Sequence, residues 1–324
     1  MTHIFLLFNH TTMAIFNKQN TLKSFFLKLL IFFTIIILAD FCIGAVLKKY
    51  YRKQQSGNDY LTTYALEKTT ADILIFGSSR AVNIVDPVIF EKEMNLTCYN
   101  AGRDGESIFY HYAILKSILS RYKPKMILLS FDAGNFSAGV DAYDRLSALL
   151  PFYYDHPEIQ PIVELKGPFE KLKMISSIYP YNSMLLSIIT GNSNYSKLKY
   201  ATIKGHIPLK YQATGPLKKF DYTNEKELDT IKINTYKSFI NECVIAKIPL
   251  YIICPPYNIE AIGIDHSITV AKDIASKKNI TFFDFTNDLN YKEKPELFAD
   301  YRHLNYKGVP IITNDIVKKI IASR

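Results

Sequence analysis

Three short segments, far apart in the chain, carry residue types suited to acyl transfer. The first is Phe76-Gly77-Ser78-Ser79-Arg80, where an apolar run ends in a glycine and two serines. Gly77 permits a tight turn, and a serine set there presents its hydroxyl to solvent and its own N–H to an oxyanion. The second, Tyr99-Asn100-Ala101-Gly102-Arg103-Asp104-Gly105, is another glycine-bearing turn. Gly102 would bring a backbone N–H close to a reacting centre, and backbone donors suit the anion that forms during acyl transfer. The third, Phe298-Ala299-Asp300-Tyr301-Arg302-His303-Leu304-Asn305, sets an aspartate three residues before a histidine. Such an aspartate orients the imidazole and stabilises its charged form. Each segment also has a plain structural reading: a Gly-Ser turn, a bare turn, and a surface loop whose Asn305 caps a helix.

The surrounding pattern says what would position them. Short runs rich in β-branched and aromatic residues cover Asp72–Phe76, Leu96–Tyr99, Met126–Phe131, Leu250–Cys254 and Thr281–Phe285, and their length favours buried strands. Helical spacing covers Glu106–Tyr122, Glu225–Ala246, Ile259–Lys277 and Tyr306–Ala322. Strand alternating with helix predicts a parallel sheet covered on both faces, with sites at the carboxyl ends of the strands. The rhythm breaks between about Asp132 and Asp221, a stretch rich in proline and tyrosine that is either a cap over the site or a structural insertion.

Ahead of this lies an apolar run from Phe25 to Leu47, long enough for a helix to cross a bilayer core. Lys28 can snorkel toward one interface, and Lys48, Lys49, Arg52 and Lys53 crowd the other. The run exceeds a removable leader and lacks a small-residue cleavage site, so a retained anchor is expected; Asp40 fits it only near the headgroups. Basic residues flank both ends, and the charge rule therefore leaves the orientation open. The 324 residues carry a net charge of +9, but the basic residues are scattered without a nucleic-acid-binding motif, which reads as a solvated surface. Neither the cysteines nor the histidines show ligand spacing for a metal.

Taken together, the three segments resemble the motif blocks of the SGNH (GDSL-like) hydrolases. Gly77-Ser78-Ser79-Arg80 is similar to the first block, with Ser78 in place of the usual aspartate and Ser79 on the nucleophile. Asn100-Ala101-Gly102 is similar to the second, whose glycine donates to the oxyanion, and Asp300-Tyr301-Arg302-His303 to the last, whose D-x-x-H supplies the orienting acid and the base. The third block departs: where the family has G-x-N-D after strand three, this chain has Asp132-Ala133-Gly134-Asn135-Phe136, and Asn135 reaches the side-chain donor position only if the loop is one residue longer. The G-S-S-R form and the anchor resemble the branch that includes DltD-like and alginate-acetylation-like proteins, which modify envelope polymers.

The resemblance implies an α/β, flavodoxin-like three-layer sandwich with a mostly parallel five-stranded sheet behind a transmembrane helix. The expected division is a tail (1–24), anchor (25–47), linker (48–70) and SGNH-like domain (71–324) with an insertion at about 133–221. It further implies an esterase or O-acyltransferase acting on acyl esters of envelope glycans outside the cytoplasmic membrane, with envelope acyl-transfer partners. Ser79, His303 and Asp300 would be catalytic, with Ser79, Gly102 and Asn135 as oxyanion donors, and no cofactor, metal or nucleic acid is called for. The alternative is a catalytically silent envelope protein that uses the same fold to bind a glycan or an assembly partner.

Overall fold

The computed structural model describes residues 2–193, 202–214, 216–223 and 227–323. The long helix α1, Thr2–Lys53, comes first and is followed by α2, Asn58–Glu67. Five strands then build the main sheet: β1 Ile73–Phe76, β2 Cys98–Asn100, β3 Met126–Ser130, β5 Leu250–Cys254 and β7 Thr281–Asp284. Their order is β2-β1-β3-β5-β7, and every pairing is parallel. This is the doubly wound order in which β1 and β3 flank the switch point, where loops leaving their carboxyl ends part to opposite faces and open a crevice.

Burial on both faces explains why the central strands are apolar throughout. Leu74, Phe76, Ile127, Leu129 and Ile252 point to one side, where α2, α5 (Ile108–Leu119), α6 (Thr230–Ile245) and α7 (His266–Ser276) lie. Ile73, Ile75, Met126, Leu128 and Ile253 point to the other, covered by α3 (Ser79–Ile84), α4 (Pro87–Met94) and α8 (Gly308–Ala322).

Two expectations differ from what is seen. The stretch 48–70, read as a linker, continues α1 to Lys53 and then forms α2, whose Leu61, Ala65 and Leu66 are buried; their spacing puts them on one helical face among otherwise polar residues. The single helix expected over Ile259–Lys277 is a strand followed by a helix. Gly263 breaks it at φ +80°, and Asp265 caps α7 by accepting the Ile268 N–H. The strand, β6 (Ile259–Ile262), pairs in parallel with β4 (Lys218–Asp221) in a separate two-stranded sheet. The helix start expected at Glu225 lies outside the described residues, as do 194–201 and 215 of the insertion.

The insertion plays two parts. Leu146, Leu149, Phe152, Ile159 and Val163 join the core on the α5 face. Its later segment runs beside the site: Asn100 N–H donates to Lys204 O at 2.9 Å, Ile207 N–H to Val82 O at 3.0 Å, and Ala213 N–H to Phe298 O at 2.8 Å.

From Thr21 to Val46 helix α1 is largely apolar and exposed, and it holds an 18-residue window with a mean hydropathy of 2.7. Its far end is gripped by the domain. Tyr51 is buried against Phe152 and Tyr181, Arg52 pairs with Glu67 and Asp155, and Asp40 accepts from Ser176 Oγ and Ser177 N–H, both at 2.6 Å.

Candidate active site

The turn that leaves β1 is built around Gly77. Its φ of +143° is a conformation that side-chain-bearing residues rarely adopt, and a Cβ there would stand 2.8 Å from Ser130 Cβ and 2.9 Å from Ala81 Cβ. The turn leads into α3, which starts at Ser79 with Ser78 as its cap. Among the described residues no acceptor takes the Ser79 N–H, because the first turn of a helix leaves its donors without intrahelical partners.

His303 comes from the other end of the chain to meet this serine. Ser79 Oγ and His303 Nε2 are 2.8 Å apart, and His303 Nδ1 is 2.9 Å from Asp300 Oδ2. With Nδ1–H directed at the carboxylate, Nε2 is left as the acceptor for the serine hydroxyl. Asp300 does a second job: its Oδ1 accepts the Arg302 N–H at 2.7 Å and the His303 N–H at 2.9 Å, which folds the loop so that acid and base stay face to face. Burial opposes its ionisation, but the His303 ring and these two N–H groups outweigh burial and keep the Asp300 carboxyl below its usual range. Behind the loop, buried Asn305 donates to Glu296 O and Phe298 O and accepts from Lys307 and Gly308 N–H, which fixes the loop to the start of α8.

Gly102 lies against the same turn. Arg103 N–H donates to Gly77 O at 3.0 Å, and a Cβ on Gly102 would stand 2.8 Å from that same oxygen. The Gly102 N–H is not idle, however: it donates to Asn100 Oδ1 at 3.1 Å, while Asn100 Nδ2 donates to Ala81 O and Val85 O. Asn135 is half-buried in the turn after β3, and its side chain makes no hydrogen bond to Ser79, Gly102 or His303. That turn is aimed by Tyr257, whose hydroxyl accepts from Ala133 N–H, and by Asp265, which accepts from Gly134 N–H, both at 2.8 Å.

Residues that the motif reading passed over brace the nucleophile. Ser78 Oγ donates to Asp132 Oδ2, so the serine standing in the family's aspartate position is tied to an aspartate at the end of β3. Arg80, fully buried, lies 3.7 Å from Asp132 Oδ1, donates to Pro255 O and Pro256 O, and packs its guanidinium 3.4 Å from the centre of the Tyr257 ring. Burial pulls this guanidinium below its ordinary range, against the Asp132 carboxylate, which supports its charge. Position was the available signal, since Arg80 adjoins the serine and Asp132 follows a strand at the same sheet edge.

A cleft of about 360 Å³ is lined by Phe220, Tyr222, Tyr257 and by Tyr301 and Arg302, the two residues between Asp300 and His303 in the chain; none of the three relay residues lines it. Phe220 stacks on Tyr301, centroids 5.5 Å apart and planes 23° apart, and the Lys218 ammonium lies 4.1 Å from the Tyr301 ring centre.

No family model and no curated protein matches the chain. Distant similarities to solved structures exist. The psychrotrophic esterase EstA from Pseudoalteromonas sp. is 13% identical with a TM-score of 0.40, over 77% of this chain and 96% of that one. The acetyl xylan esterase AlAXEase is 13% identical with a TM-score of 0.39, over 76% and 99%. LAE5, an alpha/beta hydrolase enzyme from the metagenome of Lake Arreo, is 11% identical with a TM-score of 0.37, over 78% and 96%. Likeness this distant, in sequence and in superposition alike, decides nothing about the chemistry.

Proposed function

We propose that this chain is a serine-dependent esterase or O-acyltransferase acting on acyl esters of envelope glycans, held to the membrane by α1. The observation that carries the reading is the unbroken relay from Ser79 Oγ through His303 to Asp300, with links of 2.8 and 2.9 Å. In the proposed reaction His303 Nε2 takes the Ser79 proton as the oxygen attacks the ester carbonyl. The Ser79 N–H receives the resulting oxyanion; Gly102 N–H joins it by turning from Asn100, and Asn135 is the third candidate donor. Collapse expels the alcohol with the proton from His303 and leaves an acyl-serine. Water or a sugar hydroxyl then gives its proton to His303 and attacks the acyl carbon, and the acyl–oxygen bond breaks as His303 returns that proton to Ser79 Oγ.

Two features support the finer parts of the reading. The cleft of stacked rings that includes Tyr301, from the loop carrying Asp300 and His303, suits a sugar face, whose C–H groups pack well on aromatic surfaces. Retention of α1 as an anchor is supported by the grip on Asp40, Tyr51 and Arg52, because cleavage upstream of the domain would strip contacts from its core. The reading is tested on the full chain in detergent with a serine-reactive phosphonate. Labelling of the wild type that is lost in Ser79→Ala, together with turnover of short acyl esters, is expected, and partition between water and an added glycan separates hydrolysis from transfer. A wild type that neither labels nor turns over ester is the silent binding protein.

A further inference from the structure

The turn Phe169–Ile175 has an unusual surface for a folded domain. Phe169, Leu172 and Ile175 are 64%, 63% and 73% exposed on one short helical turn. Large apolar residues gathered this way mark a contact surface rather than scattered exposure. The turn is not loosely held. Glu170, 1% exposed, sits beneath it and accepts from Tyr179 Oη at 2.6 Å and Lys173 Nζ at 2.7 Å.

Its position along α1 identifies what covers it. Ser176 and Ser177, the next residues after the turn, are the ones that hold Asp40. A hydrocarbon core about 30 Å thick takes about 20 helical residues, so an α1 that enters with the apolar run at Phe25 leaves the core near Gly44, about one turn past Asp40. The domain therefore grips the helix about one turn inside the edge of the core, through the residues that directly follow the three apolar side chains. Lys171 and Lys173 are exposed on the same turn, and Lys48 lines the adjoining cleft, long cationic side chains able to reach toward headgroups. Between the turn and α1 lies a cleft of about 390 Å³ lined by Phe41, Tyr154, Met174, Ile175 and Tyr181, able to take part of an acyl chain.

We infer that the Phe169–Ile175 turn is a second membrane contact, seated at the boundary between headgroups and acyl chains beside α1, which fixes how the domain stands on the bilayer. The inference rests on the proposed crossing by α1, and the test separates the two. The chain has no tryptophan, so single substitutions report alone. Full-length Ile31→Trp, Leu172→Trp and Ile321→Trp are each reconstituted into phosphatidylcholine–phosphatidylglycerol vesicles containing lipids brominated at known depths. Ile321 lies at the end of α8, on the sheet face away from Tyr51. The expected result is strong quenching of Ile31→Trp by deep bromines, blue-shifted emission and loss of most fluorescence for Leu172→Trp with shallow bromines, and no quenching of Ile321→Trp. Quenching of Ile31→Trp without Leu172→Trp overturns the second contact and leaves the anchor. Absence of quenching at Ile31 overturns the anchor and this inference with it. Phe169→Trp repeats the measurement at the other end of the turn.

Discussion

Removing the negative charge from Asp132 should destabilise the fold far more than its distance from the triad suggests. The Arg80 guanidinium is fully buried, and Asp132 is its acidic partner; Pro255 O and Pro256 O supply only neutral acceptors. Breaking a buried pair from one side costs about 3–5 kcal/mol, because the remaining charge stays desolvated. Here the separation is 3.7 Å and the two carbonyl bonds survive, so the lower end, about 3 kcal/mol, applies. In a domain of this size each kcal/mol moves the melting point by about 2–4 °C, so Asp132→Asn should lower Tm by about 6–12 °C. Asparagine keeps the volume and an acceptor for Ser78, which confines the change to the charge. Adding Arg80→Met removes the stranded cation and should recover most of the loss, a coupling that thermal unfolding of both single variants and the double variant measures directly. If Asp132→Asn melts with the wild type, or if the double variant falls by the sum of the singles, the buried pair is not what holds this turn.

Three further outcomes follow from the site. Asp300→Asn should lower kcat by about 10³–10⁴-fold while leaving KM nearly unchanged, since it reverses the preferred tautomer of His303, and near-wild-type turnover would remove Asp300 from the relay. Gly102→Ala should lower kcat/KM by about tenfold or more, because the new Cβ meets Gly77 O at 2.8 Å and pushes the two turns apart, and unaltered kinetics would show that their close approach is unimportant. Burial lifts the Glu106 carboxyl to about 7 despite the charges of Arg103 and Arg145. An acid raised in the fold costs nothing below about pH 4, where both states are protonated, and destabilises increasingly as pH climbs to the folded value. Glu106→Gln should therefore flatten the decline in Tm between about pH 4.5 and about pH 8, and parallel curves for variant and wild type would refute the assignment.

The sheet was readable because its central strands are buried on both faces, which leaves no polar residue to interrupt a run such as Ile73–Phe76. The small sheet was not. Lys218–Asp221 is exposed and largely charged, and only its pairing with Ile259–Ile262 makes either segment a strand. Helices α3 and α4 escaped notice because six and eight residues are too few for a periodic signal. Ser79, Asp300 and His303 were legible from residue type and short-range spacing, whereas the distances that join them are tertiary. Arg80 and Asp132 look like ordinary surface charges in the sequence, since burial depends on what Pro255, Pro256 and Tyr257 bring from a distant segment.

The relay joins residues 224 positions apart. A chain made only as far as residue 299 already carries the serine and its turn, yet lacks both the imidazole and the carboxylate. If the relay is the proposed catalyst, such a fragment carries an ordinary hydroxyl rather than an acylating group.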